Sequence, residues 1–249
     1  MIRRSFVASV LAWSLAVGTW PAPARAVIPT AAKIAKAVAA ANRSAGRSEP
    51  VLLDVTLTID EGPPAATGVL ATHPTGLARL ELHSHLGFVE RHLLQGNAHS
   101  ASRDGVMLDD PRHFLPPVFL LQTTSGAALS AALASFGIAA EEAVLGRVGE
   151  FDCYVLGGRL PRSLENEERR LPSMWVDLES YEVVRVDGSD GVRYRFGPSQ
   201  DFDGIRVPRW VVIEAPDEPA ARLDIVRAAP ANAPAAAFGM DWLRAPRKP

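Results

Sequence analysis

The chain has 249 residues, 47% hydrophobic and 22% charged, with 26 Lys+Arg against 28 Asp+Glu, 19 Gly, 20 Pro and one Cys. That composition is ample for a core without disulfide or metal staples, and it excludes a collagen, a disordered tail and a cystine-rich scaffold. A net charge of -2 gives no electrostatic footprint for a phosphate backbone, so no nucleic-acid partner is expected.

The chain opens with the pattern of an export signal. Arg3 and Arg4 form a basic start, Phe6 to Gly18 an apolar run, and Pro21, Pro23 and Ala24-Arg25-Ala26 a helix-breaking end with a small-x-small cleavage site. Residues 1–26 are therefore expected to be a signal peptide cut before Val27, and the rest of the chain is expected to be periplasmic and not membrane-spanning. Retention as an anchor is the alternative, because Ser5 to Ala24 carries no charge. Cleavage would remove Arg3, Arg4 and Arg25 and lower the basic count from 26 to 23 against 28 acids, a net charge of -5.

Residues 29–43 read as a helix with Thr30 as N-cap and a thin stripe, Ile34 and Val38 with Ala31, Ala35 and Ala41 or Asn42 beside them, that needs a larger partner. From Val51 the period changes to two: Val51, Leu53, Val55, Leu57 and Ile59 take one face, Asp54, Thr56, Thr58 and Asp60 the other. Strands follow at Gly68–Thr72, Gly76–Leu86 and Phe88–Gln95. In the second of these, Leu80, Leu82 and Leu86 alternate with Arg79, Glu81, His83 and His85. Residues 97–117 read as irregular. Ser125 opens a second helix, with Leu129, Ala132, Leu133 and Phe136 at helical spacing and Gly137 at its end. Further strands are expected at Phe151–Gly157, Trp175–Leu178, Val183–Asp187, Val192–Phe196, Arg206–Glu214 and Arg222–Ala228. Residues 165–170 read as a solvated loop, and Ala228–Ala237 as a linker to a short terminal segment, Phe238–Leu243.

About ten short strands, two helices and no alternating strand–helix rhythm predict one mainly antiparallel sheet that curls on itself. Such a sheet, an incomplete barrel with one apolar concave face and few helices to cover it, makes a natural hydrophobic cavity. Residues 27–249 are expected to form this single half-barrel domain, ending in a short Ala/Pro-rich tail.

Chemistry-bearing motifs are sparse. His83-Ser-His85 has the spacing that points two imidazoles the same way, with His92 or Glu90 on the next strand as a third ligand, so a metal-dependent hydrolase is one alternative. Parity favours a solvated polar face, because Leu80, Leu82 and Leu86 take the core side. Cys153 shares a strand face with Phe151 and Val155 and reads as a buried, inert thiol. Asp201-Phe-Asp203-Gly204 reads as a turn: a calcium loop starting at Ser199 would place Trp210 where a bidentate Glu belongs. No nucleophile elbow, phosphate loop or dinucleotide fingerprint occurs, so neither an enzyme nor a cofactor is expected.

The run Gly68-Val-Leu70-Ala-Thr-His73-Pro74-Thr-Gly-Leu77-Ala-Arg79-Leu80 resembles a strand pair of the LolA/LolB-like superfamily of periplasmic lipoprotein carriers. Trp175-Val-Asp177, Val183–Val186, Phe202-Asp-Gly204 through Pro208, Arg222–Val226, Asn232 and Phe238 resemble the second half of the same proteins. The resemblance implies outer-membrane lipoprotein sorting by a chaperone-like transport protein, in which a concave apolar face under helices shelters the acyl chain of a lipidated protein. It also implies a lid-holding role for the residue before Pro74, where such carriers have arginine and this chain has His73. The expected lining is Leu53, Val55, Leu57, Leu80, Leu82 and Phe88, with Trp175 and Trp210 at the cavity or packed under the sheet. An envelope sensor of the same fold, acting by contact with a protein partner, is the second alternative.

Overall fold

In a computed structural model that describes residues 28–157 and 171–245, the chain begins with helix α1 (Ala31–Ser44). Thr30 caps it as expected, its hydroxyl accepting from the Lys33 amide, and Ala31, Ile34, Ala35 and Val38 are all buried. Six strands follow: β1 (Val51–Ile59), β2 (Pro64–His73), β3 (Leu77–Ser84), β4 (Val89–Gln95), β5 (Ala98–Arg103) and the short β6 (Val106–Met107). The chain then crosses back over the sheet through a 3-10 helix, Val118–Gln122, and helix α2 (Gly126–Ser135), capped by Ser125.

The second half adds β7 (Ala143–Val148), β8 (Phe151–Gly157), β9 (Ser173–Asp177), β10 (Val183–Asp187) and β11 (Arg193–Phe196). A two-stranded ribbon of β12 (Ser199–Phe202) and β13 (Ile205–Pro208) precedes β14 (Trp210–Glu214) and β15 (Ala221–Pro230). A 3-10 turn, Ala235–Phe238, and helix α3 (Met240–Arg244) follow.

Thirteen strands make one antiparallel sheet in the order β6-β5-β4-β3-β2-β1-β15-β14-β11-β10-β9-β8-β7. The sheet curls without closing, an open half-barrel as the strand pattern predicts. Gly68, opposite Val55 and Leu82, is where β2 and β3 come closest: a Cβ there would run into the Glu81 carbonyl oxygen.

The inner face carries the main core. Leu53, Leu70, Leu80, Val176, Val186, Val211 and Leu223 pack from its strands against Ile34, Phe119, Leu120, Leu129 and Leu133 of the helices. Over β10, β11, β14 and β15 the outer face is polar and laced with ion pairs, among them Arg185 with Asp187, Arg195 with Glu214 and Arg222 with Asp224.

Several elements differ from expectation for identifiable reasons. Residues 97–117, read as irregular, contain β5 and β6. Ala-His-Ser-Ala-Ser-Arg has little strand propensity and pairs because β4 offers a free ladder. Strand β7 was absent from the pattern reading. Arg206–Glu214, expected as one strand, breaks after Pro208, which has no N–H to continue a ladder; β13 pairs with β12, and β14 joins the main sheet. The Asp203-Gly204 turn is as predicted, with both residues at positive φ (51° and 87°) in a two-residue hairpin loop.

The stretch read as a linker extends β15 to Pro230. The segment beyond it is docked on the outer face of β3–β6, burying Phe238 and Leu243 against Ala71 and Leu93. The predicted signal peptide, its cleavage before Val27 and the charged run 165–170 lie outside the described residues.

Candidate binding face beneath the helical roof

The roof over the inner face is held at one end by buried polar side chains. Asn42, near the end of α1, donates through Nδ2 to the carbonyls of Leu120 (3.3 Å) and Thr123 (3.1 Å), while its Oδ1 accepts from Arg47 Nη2 (3.1 Å). Gln122 donates to the Glu49 carbonyl (2.9 Å) and accepts from the Thr72 hydroxyl (2.8 Å), which ties the 3-10 helix to β2. Arg43 donates to the Thr124 carbonyl. Burial pulls the pKa of Arg47 down to about 10 despite the favourable charge of Glu182, and among the described residues its Nε has no hydrogen-bond partner.

At the opposite end, where the β1–β2 and β3–β4 turns lie, the inner face reaches solvent through a mouth of about 110 Å³. Leu57, Ile59, Ala66, Leu82, Phe88 and Phe114 line it, with Glu90, Arg103 and Arg112 at its rim. Arg103 stacks on Phe88 (4.4 Å) and bonds Glu90 (3.0 Å); Arg112 stacks on Phe114 (4.7 Å). The mouth has room for about four waters at about 30 Å³ each. Behind it the interior is packed.

Behind the rim stand three histidines from three segments. His92 Nδ1 shares a hydrogen bond with His99 Nε2 (3.1 Å), the two rings stacked 8° from parallel; His113, from the crossing loop, lies 5.4 Å from His99 between ring centroids. Carboxylates flank the row: His92 Nε2 is 3.0 Å from Glu90 Oε1, a charge contact off the hydrogen-bond line, and His113 bonds Glu218 (3.2 Å) and faces Asp190 (3.7 Å). Burial first, then the neighbouring imidazoles, push His99 down to about 3. Burial alone would raise Glu90; its contacts with His92 and Arg103 outweigh that and hold it below the usual carboxylate range.

Of the residues predicted to line a cavity, Leu53, Val55, Leu57, Leu80 and Leu82 all face the roof and are buried. Leu57 and Leu82 also reach the mouth, where the half-buried Phe88 stands, whereas Leu86, expected on the core side, falls in the turn after β3 and is exposed. Trp175, Trp210 and His73 are on the other side of the sheet. Trp175 packs with Cys153 and Val155 under Arg185, Trp210 stacks on Arg222, and His73 bonds Thr75 and meets the Phe238 ring edge-on. His73 is therefore turned away from the roof, and its neighbour Thr72 makes the tie.

His83 and His85 are exposed on the outer side or its turn, with His83 bonded to Glu81, whereas Glu90 and His92 point inward, so the sheet separates the proposed metal ligands. Among the described residues no three His, Cys, Asp or Glu side chains converge to hold a metal ion. Cys153 is fully buried, and burial, reinforced by Asp177, pushes its thiol up to about 11.

Sequence reasoning missed the roof ties, because Asn42, Thr72 and Gln122 carry no motif. Asn42 alone left a signal, as a polar residue on the apolar stripe of α1.

An open antiparallel half-barrel with an apolar inner face roofed by helices is a LolA-like fold, and comparison with solved structures agrees. A LolA superfamily protein from Nitrosomonas europaea is similar at TM-score 0.50 and 12% identity, over 87% of this chain and 100% of that one. A putative outer membrane lipoprotein-sorting protein domain from Vibrio parahaemolyticus is similar at TM-score 0.52 and 8% identity, over 87% and 100%. A DUF1329 family protein from Desulfovibrio piger is similar at TM-score 0.50 and 14% identity, over 86% and 100%. No family model and no curated protein matches the chain.

Proposed function

We propose that this protein is a non-enzymatic periplasmic binding protein that shelters an acyl chain, free or attached to a lipidated partner protein, between the inner sheet face and the roof. The observation that carries this reading is the largely apolar inner face beneath α1, the 3-10 helix and α2, with an apolar mouth at the end away from their polar ties. The export-signal pattern of residues 1–26 supports the compartment, and the fold of the lipoprotein-sorting neighbour supports the binding mode.

Each methylene moved from water to this face contributes about 0.8 kcal/mol, so a chain can be retained without any chemistry. With the inner face packed under the helices, uptake on this reading requires the roof to swing from the mouth while its tied end holds.

The test is native mass spectrometry of protein purified from the periplasm without detergent. A mass increment that fragments to acyl species is expected, and it should disappear in Phe88→Glu, which places a charge in the mouth at a half-buried position. An apo mass for the wild type, or acyl cargo retained by a folded Phe88→Glu variant, rejects the reading.

A further inference from the structure

On the outer face the C-terminal segment leaves a second, larger space. Between the flank of α3 and strands β1–β4 lies a solvent-open cleft of about 450 Å³, within the range of small-ligand sites. Its floor is Leu52, Val69 and Ala71, and Trp242 forms one wall. Val69, on an inner strand of the sheet, is 41% exposed. The cross-strand register places Ala71 beside Arg79, and Val69 beside Glu81 and then Arg91, so an apolar floor meets a charged wall.

The charges on that wall are unequally engaged. Glu81, the one carboxylate among the described lining residues, accepts from Arg91 Nε at 2.7 Å and contacts His83 at 3.2 Å. Arg91 also donates to the carbonyls of Trp242 (3.3 Å) and Ala245. Arg79 has a different environment. Its guanidinium sits against the rings of Phe238 (5.3 Å) and Trp242 (5.2 Å) and donates to the Ala237 carbonyl (2.6 Å), but among the described residues it has no ion pair. Burial lowers its pKa, opposed by the more distant Glu81 charge. A partly desolvated cation, held rigidly with N–H donors to spare beside an apolar floor, complements an anion that carries an apolar body.

We propose that this outer cleft binds a small anionic amphiphile, a medium-chain carboxylate whose head pairs with Arg79 and whose chain lies over Leu52, Val69 and Ala71 against Trp242. The site is separated by the sheet from the inner face and does not depend on the function proposed above. With Glu81 matched by Arg91, Arg79 leaves a positive charge unmatched among the described lining residues, which selects an anionic over a neutral chain.

Calorimetric titration with decanoate, decanol and acetate tests the proposal. Decanoate is expected to bind saturably, about tenfold or more tighter than decanol, with acetate too weak to measure; Arg79→Gln should erase the preference for the acid. Because Arg79 also tethers Ala237, Val69→Phe provides an independent variant: it fills the floor at an exposed position and should abolish binding without lowering the melting temperature. A diazirine-bearing decanoate should label Val69, Ala71 and Trp242. The proposal is overturned by absent saturable binding, by equal affinity for decanol, by binding unchanged in Val69→Phe, or by labelling confined to Leu57, Phe88 and Phe114.

Discussion

His99 shows how position decides what an imidazole does. On β5 it is wedged between His92 and His113; Glu90, itself bonded by Arg103, reaches His92, and Glu218 and Asp190 reach His113. Its pKa is depressed from 6.5 to about 3, so the folded state stays neutral while the unfolded chain begins to take up a proton as pH falls through 6.5. Folding stability should therefore fall with acidification between about pH 6.5 and 3, by at most about 1.4 kcal/mol per pH unit from this group. Glu90, held below its ordinary 4.5, adds a loss in the same direction once pH drops below that value. Urea unfolding midpoints between pH 7.5 and 5 should decline for the wild type and be flatter for His99→Phe. An equal slope in both would show that the histidine row does not govern acid sensitivity.

Among the elements, the apolar repeats were the legible part. The alternation through Val51–Ile59 and the stripe of Ile34 and Val38 announced β1 and α1 with their buried faces, because burial imposes a period the sequence must obey. Strand β5 and the docking of the C-terminal segment were not legible, because each depends on what a partner offers. Arg79, Arg91, Gln95 and Ser102 donate to carbonyls of residues 237–245, a match that no local pattern encodes.

The roof ties were illegible for the same reason. Asn42→Ala would leave the Thr123 carbonyl and one Arg47 donor without their side-chain partner, while the Leu120 carbonyl keeps the Thr123 hydroxyl, at roughly 1–3 kcal/mol for each buried group left unsatisfied. The variant should lose about that much stability in denaturant, and the amides of Val118–Gln122 should exchange faster than those of β1. Uniform exchange loss across the sheet would show that the tie stabilises the whole fold and not the roof in particular.

For the whole molecule the governing quantity is the free-energy gap between the roofed structure and one with the inner face open. The roof has two contacts of different character: polar ties near Asn42 and Gln122, and a close apolar contact of α1 with α2. At that contact Gly126 packs against the backbone of Lys36, where an added Cβ would stand 3.1 Å from the Lys36 nitrogen. Gly126→Val should push α2 from α1 and lift Leu129 and Leu133 off the sheet while the polar ties keep the 3-10 helix in place. Overpacking of this kind typically costs about 1–3 kcal/mol, so the melting temperature should drop by a few degrees. If the acyl site lies beneath the roof, the same variant should take up an environment-sensitive naphthylamine dye several-fold better than the wild type, and Phe88→Glu should reverse the gain. Lower stability without added dye binding would mean that loosening the helices does not expose a usable apolar face, and the inner-face reading would fail even though the fold is LolA-like.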